Sequence, residues 1–175
     1  YCAVALANSE ADAEQDLWQM AKSVHGWGRI HAVGHLAATE NPEIKDWLLR
    51  EGYKNTVTYR YSAHICAVAG GLLTRLQAEK IDTDLLESAG EIICALLAGS
   101  PVQRTDDYED EARAVESYLG HVTKTEPGLS EFLTVVAVRE FLDNQEADWG
   151  SRILRGWTLE RRSRLRDICS SIAQY

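Results

Sequence analysis

The sequence predicts an all-α fold, a stack of antiparallel helix pairs with about eight helices in one domain over residues 1–175. Three observations predict it. Apolar residues recur at three- and four-residue intervals along most of the chain, which is the spacing of one buried helical face. No segment alternates convincingly with period two; the nearest, Thr56–Tyr61, is short and has no partner strand. The stretch Trp27–Tyr53 reads as two short helices about the hinge Glu40-Asn41-Pro42-Glu43, the unit around which the rest is expected to be built. Such a hairpin cannot bury both apolar faces without neighbours of its own kind.

Taken in order, Ser9 caps an opening helix over residues 10–24, with Leu17, Met20, Ala21 and Val24 as its buried edge. Gly26 and Gly28 flank Trp27 and turn the chain into the hairpin. Its first helix buries Ile30, Ala32, Val33, Leu36 and Ala37. Its second opens on a clear signal. Asn41 can accept from free backbone amides, Pro42 suits the first helical position, and Glu43 suits the positive end of the dipole. That helix buries Ile44, Trp47 and Leu48 and stops at Gly52. After a loop, Tyr59–Gln77 reads as one long helix with Tyr61, Ile65, Val68, Leu72 and Leu76 inward. Gly70-Gly71 sits in its middle at a cost of roughly 1 kcal/mol per glycine, so a close helix crossing or a kink is expected there.

Asp82 or Thr83 starts the next helix, which buries Leu85, Leu86, Ala89, Ile92, Ile93 and Leu96 and ends at Gly99-Ser100-Pro101. The acidic run Thr105–Glu111 opens another, since carboxylates favour a helix N-terminus, with Ala114, Val115, Tyr118 and Leu119 inward. Ser130 caps a helix that buries Phe132, Val135, Val136, Phe141 and Leu142. Residues 148–175 give a short helix, a turn at Gly156-Trp157-Thr158, and a last helix on Leu159, Leu165, Ile168 and Ile172.

Composition narrows the function classes. With 175 residues, 45% of them hydrophobic, the chain can bury a substantial core. No apolar run approaches the roughly 20 residues that span a bilayer, so no membrane association is expected. The N-terminal stretch has no basic flank and does not read as a signal peptide. Cys2, Cys66, Cys94 and Cys169 are widely spaced without a CxxC pair, which points to buried free thiols in a reducing cytoplasm. A net charge of −9 repels phosphate backbones and favours solubility or a basic partner.

No constellation specifies catalysis. His31 and His35 are four apart on one helix, but a metal site at that spacing needs a third ligand that nothing adjacent supplies. One is expected in a helix seam and the other exposed, while His64 and His121 are isolated core or surface residues. Cys66 follows His64 by two, which on a helix points them apart. No nucleophile elbow, phosphate loop or dinucleotide fingerprint occurs. The acids at 106–111 lack the spacing and turn glycine of a calcium loop and read as a solvated helix start. Neither metal nor cofactor is expected.

The most unusual segment is 151–166, whose six arginines and single glutamate give +5 within a chain of −9, leaving −14 for the remainder. Arginine rather than lysine suggests bidentate pairing with carboxylates or phosphates. Trp149 and Trp157 sit beside these arginines as anchors at binding surfaces often do. The candidate binding residues are therefore Trp149, Arg152, Arg155, Trp157, Arg161 and Arg162. The competing reading is that the arginines pair with the chain's own acidic helices and the tryptophans fill the terminal helix pair.

The pair Trp27–Tyr53, with its Asn41-Pro42-Glu43 hinge, resembles a unit of the HEAT/armadillo-like helical repeats and is similar to bacterial HEAT-like proteins. Residues 147–173 match less well, and Trp149-Gly150-Ser151-Arg152-Ile153 loosely echoes Trp27-Gly28-Arg29-Ile30. Together these stretches cover about a third of the chain. The resemblance implies a right-handed α-solenoid whose inner surface binds a partner, usually a protein. The expected function is a non-enzymatic protein-binding scaffold or adaptor that neutralises or regulates a basic partner. The alternative is a nucleic-acid-acting, DNA-glycosylase-like enzyme on the same scaffold, with the arginines on phosphates and Asp148 near a flipped base. The net charge weighs against that alternative.

Overall fold

The computed structural model describes residues 13–99 and 108–173. Among these residues there is no strand and there are ten α-helices: α1 (Ala13–Ser23), α2 (Gly26–His35), α3 (Pro42–Trp47), α4 (Ala63–Ala69), α5 (Leu72–Leu76), α6 (Thr83–Leu97), α7 (Glu111–Val122), α8 (Leu129–Asp143), α9 (Trp149–Leu154) and α10 (Leu159–Ile172). A π-helical turn, Leu48–Gly52, continues α3, and a 3₁₀ turn, Tyr59–Tyr61, precedes α4. The expectations for Cys2, Ser9, residues 10–12, residues 100–107 and Tyr175 lie outside the described residues.

Capping chemistry fixes several starts where the sequence places them. Asn41 accepts from the Glu43 amide at 2.9 Å with Pro42 in the first turn, and Asp82 accepts from the Leu85 amide at 2.9 Å. The Asp148 and Thr158 side chains cap α9 and α10 in the same way. Other boundaries move. Ser130 is not a cap: Gly128 holds that position and Ser130 lies inside α8. The helix after the acidic run begins at Glu111, while Tyr108 stays outside it and is buried.

Tyr59–Gln77 is not one helix. Its two central glycines answer two separate demands. A Cβ on Gly70 would lie 2.6 Å from Leu49 Cγ and 2.7 Å from the Cys66 carbonyl, so the π turn crosses there in close contact. Gly71 has φ +70°, a left-handed conformation that breaks the helix into α4 and α5. α4 turns Ala63, Cys66 and Ala67 to the core, so Val68 faces outward, against the expectation that it is buried.

The buried apolar residues form one cluster running from Leu17 to Ile172. Its centre is α6 rather than the Trp27–Tyr53 hairpin: α6 packs on the π turn, α4, α7 and α8. Within the hairpin stretch, α2 lies mainly against α1, and α3 with its π turn is held to α6. Leu36, Ile44 and Leu48 are buried as expected, whereas Ala37 is exposed and Trp47 half-buried. On the other side, α8 packs on both α6 and α10, and α7 supports α5 and α10.

Candidate functional site

The arginine-rich end is a corner formed by α9, the Gly156 turn and α10. Asp148 starts it: its carboxylate accepts from the Ser151 hydroxyl and amide, and these bonds, the hydroxyl first, hold it below the usual carboxylate range. The Trp149 indole N–H donates to the Asn144 carbonyl at 2.8 Å, which fixes the ring. The Arg162 guanidinium lies 3.4 Å from the centre of that ring and Arg152 lies 5.0 Å from it, with Arg152 also 4.2 Å from the Phe141 ring. Partial burial, together with the neighbouring Arg166 and Arg152 charges, lowers the affinity of Arg162 for its proton.

The remaining arginines are engaged within the chain. Arg161 bonds Glu116 at 2.9 Å, Arg164 pairs with the same carboxylate, and Arg166 reaches Asp143 at 2.6 Å. Arg155 is half-buried and also makes an interaction. Trp157 is fully buried, packs 4.9 Å from Phe141, and donates its indole N–H to the Glu111 carboxylate at 2.9 Å. The six residues singled out by sequence are thus in one corner but in different roles. Trp149, Arg152 and Arg162 make a stack, Arg161 joins α10 to α7, and Trp157 anchors the corner to the core. Among its polar surface the corner also sets two leucines to solvent: Leu154 is 88% exposed and Leu159 76%, against the expectation that Leu159 is buried.

The histidines do not gather. His31 and His35 are both exposed, which corrects the expectation that one packs in a seam. His121 is buried with its Nε2 2.8 Å from the Leu76 carbonyl, and His64 stands edge-on to Tyr108. Among the described residues no group of three metal-ligating side chains occurs. Cys66 and Cys169 are buried free thiols and Cys94 is half-buried; burial pushes all three thiols up, Cys169 to about 11.

A second surface was not foreseen. In α8 the expected polarity is partly reversed: Glu131 and Thr134 are buried at 7% and 3% exposure, while Leu129 is 76% and Leu133 57% exposed, and Phe132 is outward too. The cause lies at the crossing with α6. A Cβ on Gly90 would come within 2.7 Å of both the Thr134 hydroxyl and the Tyr118 hydroxyl, so the helices meet there on polar groups. With Thr134 facing α6 and Val135, Val138 and Leu142 in the core, the second apolar stripe, Leu129, Phe132 and Leu133, turns to solvent. Sequence periodicity shows both stripes but cannot rank them, because each has helical spacing.

Beside this face lies a cleft of about 600 Å³ between the 57–60 turn, α6 and α8. At one end of it the Glu91 carboxylate accepts from the Tyr53 hydroxyl. Burial first, and then this bond, hold the Tyr53 phenol well above its ordinary range, so Tyr53 donates at any physiological pH.

Comparison with family models, with curated proteins and with solved structures gave no match to this chain.

Proposed function

We propose that the chain is a non-enzymatic protein-binding scaffold of HEAT-like, right-handed α-solenoid type, which holds and thereby neutralises or regulates a basic protein partner. The observation that carries this reading is α8, a helix that keeps an acid and a threonine inside and sets Leu129, Phe132 and Leu133 outside. A contiguous exposed apolar patch is a common mark of an interaction surface. Charge gives the sign of the partner. Glu126, just before α8, and Glu140, within it, are both exposed, and among the described residues neither is in an ion pair. With a total of −9 they favour lysine and arginine on the other side. Arg161, Arg164 and Arg166 are held within the chain by two carboxylates, Glu116 and Asp143, so part of their charge is engaged internally, which supports this reading over nucleic-acid chemistry.

A photo-crosslinking residue at position 133, in cells of the native host, tests it. The expected result is one basic polypeptide crosslinked at 133 and lost when Leu129→Asp and Phe132→Asp are added. No protein adduct, together with turnover of a small molecule by the purified chain, would overturn the reading.

A further inference from the structure

The cleft beside α8 has the form of a helix-receiving furrow. Glu91 and Ala95 of α6 and Ala98, the residue that caps its end, form one stripe at i, i+4 and i+7, about 10 Å long or two helical turns. Two of the three are alanines, so the floor is low. Its walls rise higher: Leu133 from α8 on one side, and Val57, 42% exposed, with Tyr59 on the other. A furrow with small residues on its floor and larger apolar ones on its walls accepts the side chains of one face of a helix.

Two charges line the furrow, Glu91 and Arg60, and among the described residues neither has a counter-charge. Among the described residues Glu91 has the Tyr53 hydroxyl as its hydrogen-bond donor and no cation at ion-pair distance. Arg60, which also lines the furrow, turns its guanidinium to the Gly99 carbonyl beyond the end of α6, away from Glu91. A carboxylate held in place by a buried tyrosine, at the end of an apolar floor, is complementary to a single ammonium or guanidinium on an otherwise apolar helix face.

We infer that this furrow receives an amphipathic helical segment of a basic partner, its apolar residues on Ala95, Ala98, Leu133 and Val57 and one lysine or arginine on Glu91. The inference rests on the protein-binding reading above and names where the partner sits. The segment runs along α6 and buries three or four side chains at i, i+3, i+4 and i+7 spacing.

Fluorescence anisotropy of the full chain with a labelled leucine/lysine peptide of about 18 residues, five helical turns with leucines at that spacing, tests it. A Kd on the order of 10 µM is expected, about tenfold weaker when the lysines are replaced by glutamine. Glu91→Gln weakens the leucine/lysine peptide by about tenfold, and Ala98→Arg, at an exposed position, by at least as much. Glu79→Gln makes the same charge change at an exposed turn away from the furrow and leaves affinity unchanged. Equal losses in Glu91→Gln and Glu79→Gln would overturn the inference by showing diffuse charge attraction, as would no binding at all. A dimer in sedimentation that Ala98→Arg abolishes would overturn it in favour of a second copy. Loss of binding in Leu129→Asp and Phe132→Asp but in neither furrow variant removes the furrow assignment and leaves the protein-binding reading standing. Indifference of the affinity to all four variants removes both.

Discussion

Trp157 shows how a residue type that suggests binding can serve packing instead. Its indole packs against Phe141 and its N–H donates to the buried Glu111 carboxylate, so one side chain both packs and supplies a buried hydrogen bond. Trp157→Phe keeps most of the apolar volume but removes that donor. It is expected to lower stability by about 1–3 kcal/mol in urea unfolding. A larger loss is expected for Trp157→Ala, about 3–5 kcal/mol, because a cavity is added. An unchanged midpoint in Trp157→Phe would show that the indole N–H carries no weight. The sequence placed Trp149 and Trp157 in the same class because both flank arginines. Only the burial of one and the half-exposure of the other separates them, and burial depends on contacts with α7 and α8 that lie far away in sequence.

At the level of the element, local chemistry was legible and long-range register was not. The Asn41-Pro42 and Asp82 starts were readable because a cap is a contact between residues two or three apart. Asp82 also makes a two-pronged pair with Arg50 at 2.7 Å in each arm, and Arg50 in turn reaches Asp46 on α3. Nothing local reports that link, which ties the start of α6 to the π turn. The Arg50 guanidinium, first, and the Leu85 amide hold the Asp82 carboxyl well below its ordinary 3.8. A depressed carboxyl stabilises the folded chain above its unfolded-state value, and that contribution is lost as pH falls through the folded-state value. The stabilisation from Asp82 is thus complete above about pH 4 and fades below it. Asp82→Ala is expected to cost about 1–2 kcal/mol at pH 7, chiefly through the lost cap. Asp82→Asn, which retains a capping oxygen, should cost less and flatten the acid limb of a stability–pH profile. An unaltered acid limb would contradict the assignment.

The π turn and the Gly71 break illustrate the opposite case. Periodicity joined Tyr59–Gln77 into one helix because its apolar spacing is continuous. The glycine pair signalled that something had to give, and the structure uses both possibilities at once: Gly70 for the close approach to Leu49 and Gly71 for the turn. α8 is harder still, since two apolar stripes compete and the choice between them is made at Gly90 on another helix. The expectation that Phe132 is buried failed for that reason.

Across the whole molecule, the all-helical class was legible because it depends on spacing alone. The identity of the central helix was not. The Trp27–Tyr53 stretch has the clearest signals, yet α6 makes the contacts that unite the two sides of the core. The same packing leaves an apolar face on α8 and an apolar tip at Leu154 and Leu159, at opposite ends of the α8–α10 region, within an acidic chain. Contiguous apolar faces of this kind on an acidic chain are the ground on which a protein partner is proposed.

That account requires Leu129 and Leu133 to be outward in the folded chain. Urea unfolding of the Leu129→Asp, Leu133→Asp double variant tests it most directly. The account predicts a free energy within about 0.5 kcal/mol of the unaltered chain, as for substitutions on a free surface. A loss of about 3 kcal/mol or more would contradict it by showing that the chain itself covers this face.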